Sequence, residues 1–264
     1  MAENFRSLPK IARRLKLTPL VARKIKNWPT FMYHYALGLT PRDRYFFRNG
    51  AQLKIGRGVD HVPIIEIFLR EDYGKMKDNS VIIDLGANIG VFTVYATVTA
   101  RNTEVYAYEP LGDFYELMKE NIRLNQRQSA VRCFNAAVAC DCTPRTLYVK
   151  GTDFFFPTLV GNDSRNGQET IEVNCTTLAE IMRTNNLQHV DMLKMDCEGA
   201  EYEILYPTPR ALFKRIKEIR MEYHSLDAGD RNLARLKEFL IENGYTITHV
   251  QPTSETNGSI WAER

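Results

Sequence analysis

The 264-residue chain lacks most features that would place it outside the globular class. No run approaches the ~18–20 uninterrupted apolar residues that a membrane-spanning helix needs. The opening MAENFRSLPKIARRLKL has no apolar stretch of the kind a secretory signal carries. Five cysteines (Cys133, Cys140, Cys142, Cys175 and Cys197) form no CxxC pair and no even set for a disulfide framework. Free thiols of a reduced compartment, the cytoplasm, are the expectation. Internal repeats, low-complexity tracts, zinc-finger spacings and the aromatic signature of RNA-recognition folds are missing as well. What is present is 44% hydrophobic and 25% charged residues, ample for a packed core.

Charge is placed unevenly. Residues 1–50 hold 11 Lys/Arg against Glu3 and Asp43, a surplus of +9, so the other 214 residues carry −6 of the net +3. Such an arm suits packing or docking on a protein partner, or contact with a polyanion: nucleic acid or an anionic membrane surface. Ile11, Leu15, Ala22 and Ile25 fall near one helical face. Thr18-Pro19 reads as an N-cap followed by Pro at N1, which predicts two short helices. Residues 1–44 are read as a basic helical extension and 45–264 as the main domain, with 45–80 a helical or mixed layer.

From Val81 strands and helices alternate. VIIDLG, TEVYAYEP, AVRCFNAAVA, HVDMLKMD and IKEIRMEYH read as five strands, and GYTITHV with SIWAER closes the sheet. FYELMKENIRLN between them reads as a helix. Residues 91–99 have strand propensity but are assigned to helix, because a strand–Gly turn–crossover requires one. This is an α/β, Rossmann-like pattern with a mostly parallel sheet covered on both faces. An insertion, 140–176, carries TLYVK and TIEVNC as short strands around GTDFFFPTLVGNDSRNG, and Thr177-Leu-Ala-Glu180 reads as a capping box. Phe154-Phe155-Phe156-Pro157 marks the insertion as a candidate substrate wall or lid.

Three motifs carry chemistry. Asp84-Leu-Gly86-Ala-Asn88-Ile-Gly90 follows the first strand, where small residues let backbone approach a ligand. Glu109, 19 positions after Gly90, ends the second strand, where a carboxylate can accept both hydroxyls of an adenosine ribose. NAD(P) and S-adenosylmethionine both suit that unit. Asn88 stands where a dinucleotide fingerprint wants glycine, and Asp84 would repel a pyrophosphate but suit an ammonium, which favours S-adenosylmethionine. Asp196, Glu198 and Glu201 cluster after the fourth strand, and Asp196 and Glu198 share side-chain parity if the strand persists. His224 ends the fifth strand and is suited to remove a proton near neutral pH. His34, His61, His189 and His249 read as structural or surface groups.

DLGANIGVFT, VYAYEP, NAAVA, TLAEIM, LKMDCEGAEYEIL and EYH, in this order, resemble the FkbM-type family of class I S-adenosylmethionine-dependent methyltransferases. The resemblance runs from about Tyr45 to IWAER. It implies a seven-stranded sheet with an antiparallel last strand, and O-methylation of a hydroxyl on a sugar, glycan or natural-product-like small molecule. By position, Asp84, Gly86, Asn88 and Gly90 would wrap the methionine part and Glu109 the ribose. Asn135 and Ala137 would lie near the adenine, Asp196 beside the sulfonium and the incoming hydroxyl, and Glu198 behind it. Tyr73 would roof the cofactor. Asp196 or His224 would serve as base; the alternative is a divalent ion on Asp196, Glu198 and Glu222, a metal arrangement incompletely matched because no Asp-Asn pair follows the fifth strand. An RNA methyltransferase recruited by the basic arm, or a non-catalytic scaffold, are the competing functions.

Overall fold

The structure is a computed structural model that describes residues 10–39, 44–56, 61–150, 153–158, 169–226 and 229–264. Its centre is a seven-stranded sheet. Strand β3 (Val81–Leu85) has β4 (Glu104–Tyr108) and then β5 (Val131–Phe134) on one side, all parallel. On its other side lie β11 (Val190–Met195) and β12 (Ile216–His224), also parallel. The last strand, β14 (Asn257–Glu263), inserts antiparallel between β12 and β13 (Thr246–Pro252). The apolar runs of β3, β4 and β11 follow from burial on both sheet faces, which leaves no alternation to read.

Helices cover both faces and divide the core in two. One half packs α4 (Val91–Thr99), α5 (Gly112–Leu124) and a π-helix (Ile64–Arg70). The other holds α6 (Leu178–Thr184), α7 (Glu201–Leu205), α8 (Arg210–Phe213) and α9 (Leu233–Glu242). Residues 91–99 are helical as expected: everything from Val91 to Thr97 is buried, and that packing outweighs the strand propensity of Val, Thr and Tyr. Thr177 caps α6 by accepting the Glu180 N–H at 3.0 Å.

The N-terminal layer departs from its expectation in detail. Helices α1 (Lys10–Leu15), α2 (Thr18–Lys24) and α3 (Trp28–Leu37) form three short segments. Leu17, not Thr18, is the N-cap of α2; the Thr18 hydroxyl donates to the Leu15 carbonyl at 2.6 Å. Ile11, Leu15, Ala22 and Ile25 share no face, because the chain breaks between α1 and α2. Ile25 is fully buried whereas Ile11 and Leu15 are exposed. Val21, Ile25 and Phe31 enter the same core half as the π-helix and the hairpin of β1 (Arg44–Phe46) and β2 (Gln52–Lys54).

The third expected strand splits. After β5 the chain leaves the main sheet, and β6 (Ala137–Val138) pairs with β10 (Cys175–Thr176). The insertion forms an antiparallel sheet in which β7 (Arg145–Lys150) lies between β8 (Asp153–Thr158) and β9 (Glu169–Val173). The backbone of Phe154–Pro157 runs in β8; the side chains of that segment, and residues 159–168, lie outside the described part of the insertion.

Candidate active site

Chain order reverses between β3 and β11, one strand leading on to β4 and the other to β12. An open α/β sheet places its ligand crevice at the carboxyl ends of such a pair. A cleft opens there with about 920 Å³ of empty volume, counting its mouth. Gly86, Ala87 and Asn88 form its floor, Glu109 and Ala137 one side, and Asp196, Cys197 and Glu198 the other. Pro63 and Ile67 close it from the π-helix, and Leu147 reaches it from the insertion.

The floor is a tight contact. The Asp196 N–H donates to the Leu85 carbonyl at 3.1 Å, and a Cβ on Gly86 would lie 1.9 Å from the Asp196 carbonyl oxygen. Gly86 also sits at φ +69°, so only glycine fits the turn. Glu109 is buried, with one carboxylate oxygen accepting the Asn88 N–H at 2.8 Å and the other the Leu111 N–H at 2.9 Å. Burial pushes its carboxyl up to about 7, against the pull of those two N–H groups and of Lys194. Each oxygen keeps a lone pair for a further donor.

Asp84, assigned to the cofactor by sequence, is not among the residues lining the cleft. It is fully buried, ion-paired with Lys194 at 3.1 Å, and accepts the Thr93 hydroxyl at 2.6 Å. Its charge is therefore spent inside the protein, and the argument that Asp84 faces a ligand ammonium does not hold. Lys194 is the group that meets the cleft. Its ammonium donates to the Gly86 carbonyl at 2.9 Å and stands over the rings of Tyr73 and Phe92. Tyr73, expected to roof the cofactor, packs on Phe92 and is not among the residues that line the cleft. Gly90 caps α4 at φ +80° against Met118, outside the cleft lining. Asn135 also turns away: its amide donates to the carbonyls of Glu109 and Pro110, both at 2.9 Å, and so holds the tip of β4.

Carboxylates crowd the opposite wall. Asp196 and Glu198 do not share strand parity, since β11 ends at Met195 and Glu198 adopts φ 52°. Burial and the Asp196 charge push Glu198 up to about 8 and Glu222 up to about 7. Glu66 of the π-helix, raised to about 8 by burial and by Glu222 and Asp196, completes the group. His224 lies behind it, with Nε2 3.4 Å from Glu198 and Nδ1 3.2 Å from Glu201. Burial opposes its charge, yet Glu201, Glu198 and Asp196 raise it to about 9. That direction favours the imidazolium of His224, whereas the sequence expectation has Asp196 or His224 as the base. Among the described residues no three His, Cys, Asp or Glu side chains assemble as a metal-holding group. Asp196, Glu198 and Glu222 are neighbours without that geometry.

Sequence reading missed Lys194, Glu66 and the structural weight of Glu201. Each had a signal: Lys194 and Glu66 are single charges inside apolar runs, MLKM and IIEIF. Glu201, fully buried, accepts the N–H groups of Cys197 and Gly199, both at 3.2 Å, and so shapes the loop bearing Glu198.

The family model of the methyltransferase FkbM domain matches residues 84–247, from the end of β3 to the start of β13, and takes in the whole cleft floor. The chain belongs to the FkbM methyltransferase family. Among similar proteins, methyltransferase sdnD of Sordaria araneosa is 24% identical over 210 residues, covering 67% of this chain and 78% of the relative. Methyltransferase 1 of Beauveria bassiana is 28% identical over 205 residues, 71% of this chain and 81% of its own. The 31-O-demethyl-FK506 methyltransferase FkbM of Streptomyces tacrolimicus is 24% identical over 204 residues, 67% and 76%.

The residues present fit S-adenosylmethionine, the methyl donor of this FkbM-type fold. Glu109 stands at the tip of β4 with lone pairs to spare for two ribose hydroxyls, and Asp196 Oδ1 is buried with no hydrogen-bond partner in the protein. Among the described residues no helix is long and apolar enough to cross a membrane.

Proposed function

We propose that the protein methylates a hydroxyl of a small-molecule or glycan acceptor, with Asp196 as the group that takes the hydroxyl proton. The observation that carries this reading is Asp196 itself, a residue of the cleft wall whose backbone packs on the Gly86 turn and whose buried Oδ1 has no hydrogen-bond partner. A buried acceptor with no donor of its own costs about 1–3 kcal/mol, which a bound hydroxyl would relieve. S-adenosylmethionine supplies a methyl group already activated on sulfur, so the protein's work is alignment, water exclusion and proton removal.

Each side chain has a task in that scheme. Gly86–Asn88 and Ala137 receive the cofactor's backbone and rings closely, and Glu109 accepts its ribose hydroxyls. Asp84 acts at one remove, holding Lys194 against the Gly86 carbonyl and so fixing the turn. Asn135 and Gly90 likewise act on the shape of β4 and α4. Asp196 Oδ1 accepts the proton from the attacking oxygen. His224, held positive by Glu201, offsets the carboxylates packed round Asp196, and Glu198 links it to the cleft. The Streptomyces tacrolimicus relative is named for an O-demethylated FK506, an oxygen acceptor, which supports a hydroxyl over an amine. Five free thiols suit the cytoplasm.

Calorimetric titration with S-adenosylmethionine and with NAD(H), on the protein and on Glu109→Ala, tests the reading. Micromolar binding of S-adenosylmethionine alone, lost in the variant, is expected, followed by methyl transfer in a screen of hydroxylated acceptors with and without Mg²⁺. Transfer only to amines, or binding that ignores Glu109→Ala, would overturn it.

A further inference from the structure

Nine large apolar side chains are exposed among the described residues, and six of them lie between Ile11 and Phe46. Ile11 and Leu15, each 49% exposed, stand one turn apart on α1, a helix with no buried residue at all. Tyr33 and Leu37, 60% and 51% exposed, stand one turn apart on α3, with Leu39 exposed just beyond. The two helices are neighbours: the Arg14 guanidinium stacks on the Tyr35 ring, 5.2 Å from its centroid, and reaches the Ala36 carbonyl. The same layer is basic throughout. Described residues 10–39 and 44–50 contain nine Lys/Arg and no Asp or Glu, and Lys10, Arg13, Lys16, Arg23 and Lys26 are exposed.

We infer that this N-terminal layer docks on an anionic lipid surface, inserting the Ile11–Leu15 turn of α1 among the headgroups with basic residues around it. The occupant follows from two requirements that one surface must meet together. The surplus of positive charge on this layer opposes a second copy of the same face, since a two-fold contact would set like charges against each other. Tyr33 and Phe46 are the only aromatics among the six exposed side chains; aliphatic Ile11, Leu15, Leu37 and Leu39 offer nothing to stack on nucleobases, the contact that single-stranded nucleic acid prefers. A bilayer with anionic headgroups supplies both negative charge and an apolar phase at its boundary. The layer is also tied to the cleft. Lys24 of α2 donates to Glu71 at 2.6 Å and to the Phe68 carbonyl at 2.9 Å, and so braces the π-helix whose Ile67 lines the cleft.

Sedimentation of the full chain with phosphatidylcholine vesicles, with and without phosphatidylglycerol, tests the inference apart from any methyl transfer. Binding is expected only to the phosphatidylglycerol vesicles, and it should weaken as salt screens the charge. Ile11→Asp with Leu15→Asp should lower the vesicle affinity by roughly tenfold or more. The same variant should leave thermal unfolding and S-adenosylmethionine titration unchanged, because neither side chain is buried. Lys10→Gln, Arg13→Gln and Lys16→Gln together should weaken binding to anionic vesicles without altering the fold. Absence of vesicle binding overturns the inference. So does vesicle binding indifferent to Ile11→Asp/Leu15→Asp, capture of single-stranded RNA in place of vesicles, or a dimer by light scattering that the same variant dissolves.

Discussion

Glu109 meets two opposed demands at neutral pH. Its buried carboxyl is raised to about 7, whereas a pair of ribose hydroxyls would donate to the ionised form. S-adenosylmethionine affinity is therefore expected to rise with pH by up to roughly tenfold per unit below about 7 and to level off above it. Calorimetry across pH checks this, and Glu109→Gln should abolish the rise; a flat profile in the unaltered protein would remove Glu109 from the cofactor site. Asp196 separates chemistry from binding. Asp196→Ala should lower methyl transfer by about 10²–10⁴-fold while S-adenosylmethionine affinity changes little. Equal loss of both would make Asp196 a cofactor ligand and not a base. At this scale, sequence located the acids at the strand tips but not their partners. Asp84 and Lys194 are 110 residues apart and become a pair only because β3 and β11 lie side by side. The shift that makes His224 a cation likewise comes from Glu201 on another element, which strand-end position alone does not reveal.

Elements whose pattern reflects burial on both faces were legible, as in β3, β4, β11 and β12, and the Gly turn required helix α4 against its own propensity. The π-helix was not. IIEIFLR has no period that distinguishes five-residue from four-residue hydrogen bonding, and its buried residues pack in the same core half as α4 and α2. AVRCFNAAVA looked like one strand because apolar residues continue through it, yet β6 pairs with β10 of the insertion and not with the main sheet. The β3–α4 turn itself is the element most exposed to a single methyl group. Gly86→Ala would force a Cβ to 1.9 Å from the Asp196 carbonyl at a φ that disfavours L side chains, so β3 and β11 must part at the cleft floor. A loss of about 2 kcal/mol or more in urea unfolding is expected, together with loss of S-adenosylmethionine binding. An unchanged midpoint would mean that the turn yields freely and does not define the floor.

Across the whole molecule the basic N-terminal segment is part surface and part core. Removing residues 1–15 takes away α1, none of whose residues is buried, and should leave a folded protein. Removing residues 1–39 also takes away fully buried Val21, Ile25 and Phe31, each worth about 1.5–3 kcal/mol of transfer energy. Against a total stability of about 5–15 kcal/mol that loss should leave no cooperative thermal transition, and a sharp one would show that the main domain stands alone. The crowded cleft gives the molecule a second global property, its response to pH. Glu66 and Glu198 are raised to about 8 from an ordinary 4.5, so between about 4.5 and 8 the native protein keeps protons that the unfolded chain has released. His224, raised to about 9 from 6.5, does the same at higher pH, its stabilisation present below about 6.5 and lost as pH passes about 9. His61, lowered by burial to about 4, works in the opposite sense but has lost its proton in both states above about 6.5. In that range the native state binds more protons than the unfolded one, and stability must fall as pH rises. Tm should therefore decline steadily from about pH 6.5 to 9 in the absence of cofactor, and Glu66→Gln should make the decline shallower by removing one of the protons involved. A Tm that rose over this interval would mean that the carboxylates are not gathered as the cleft has them.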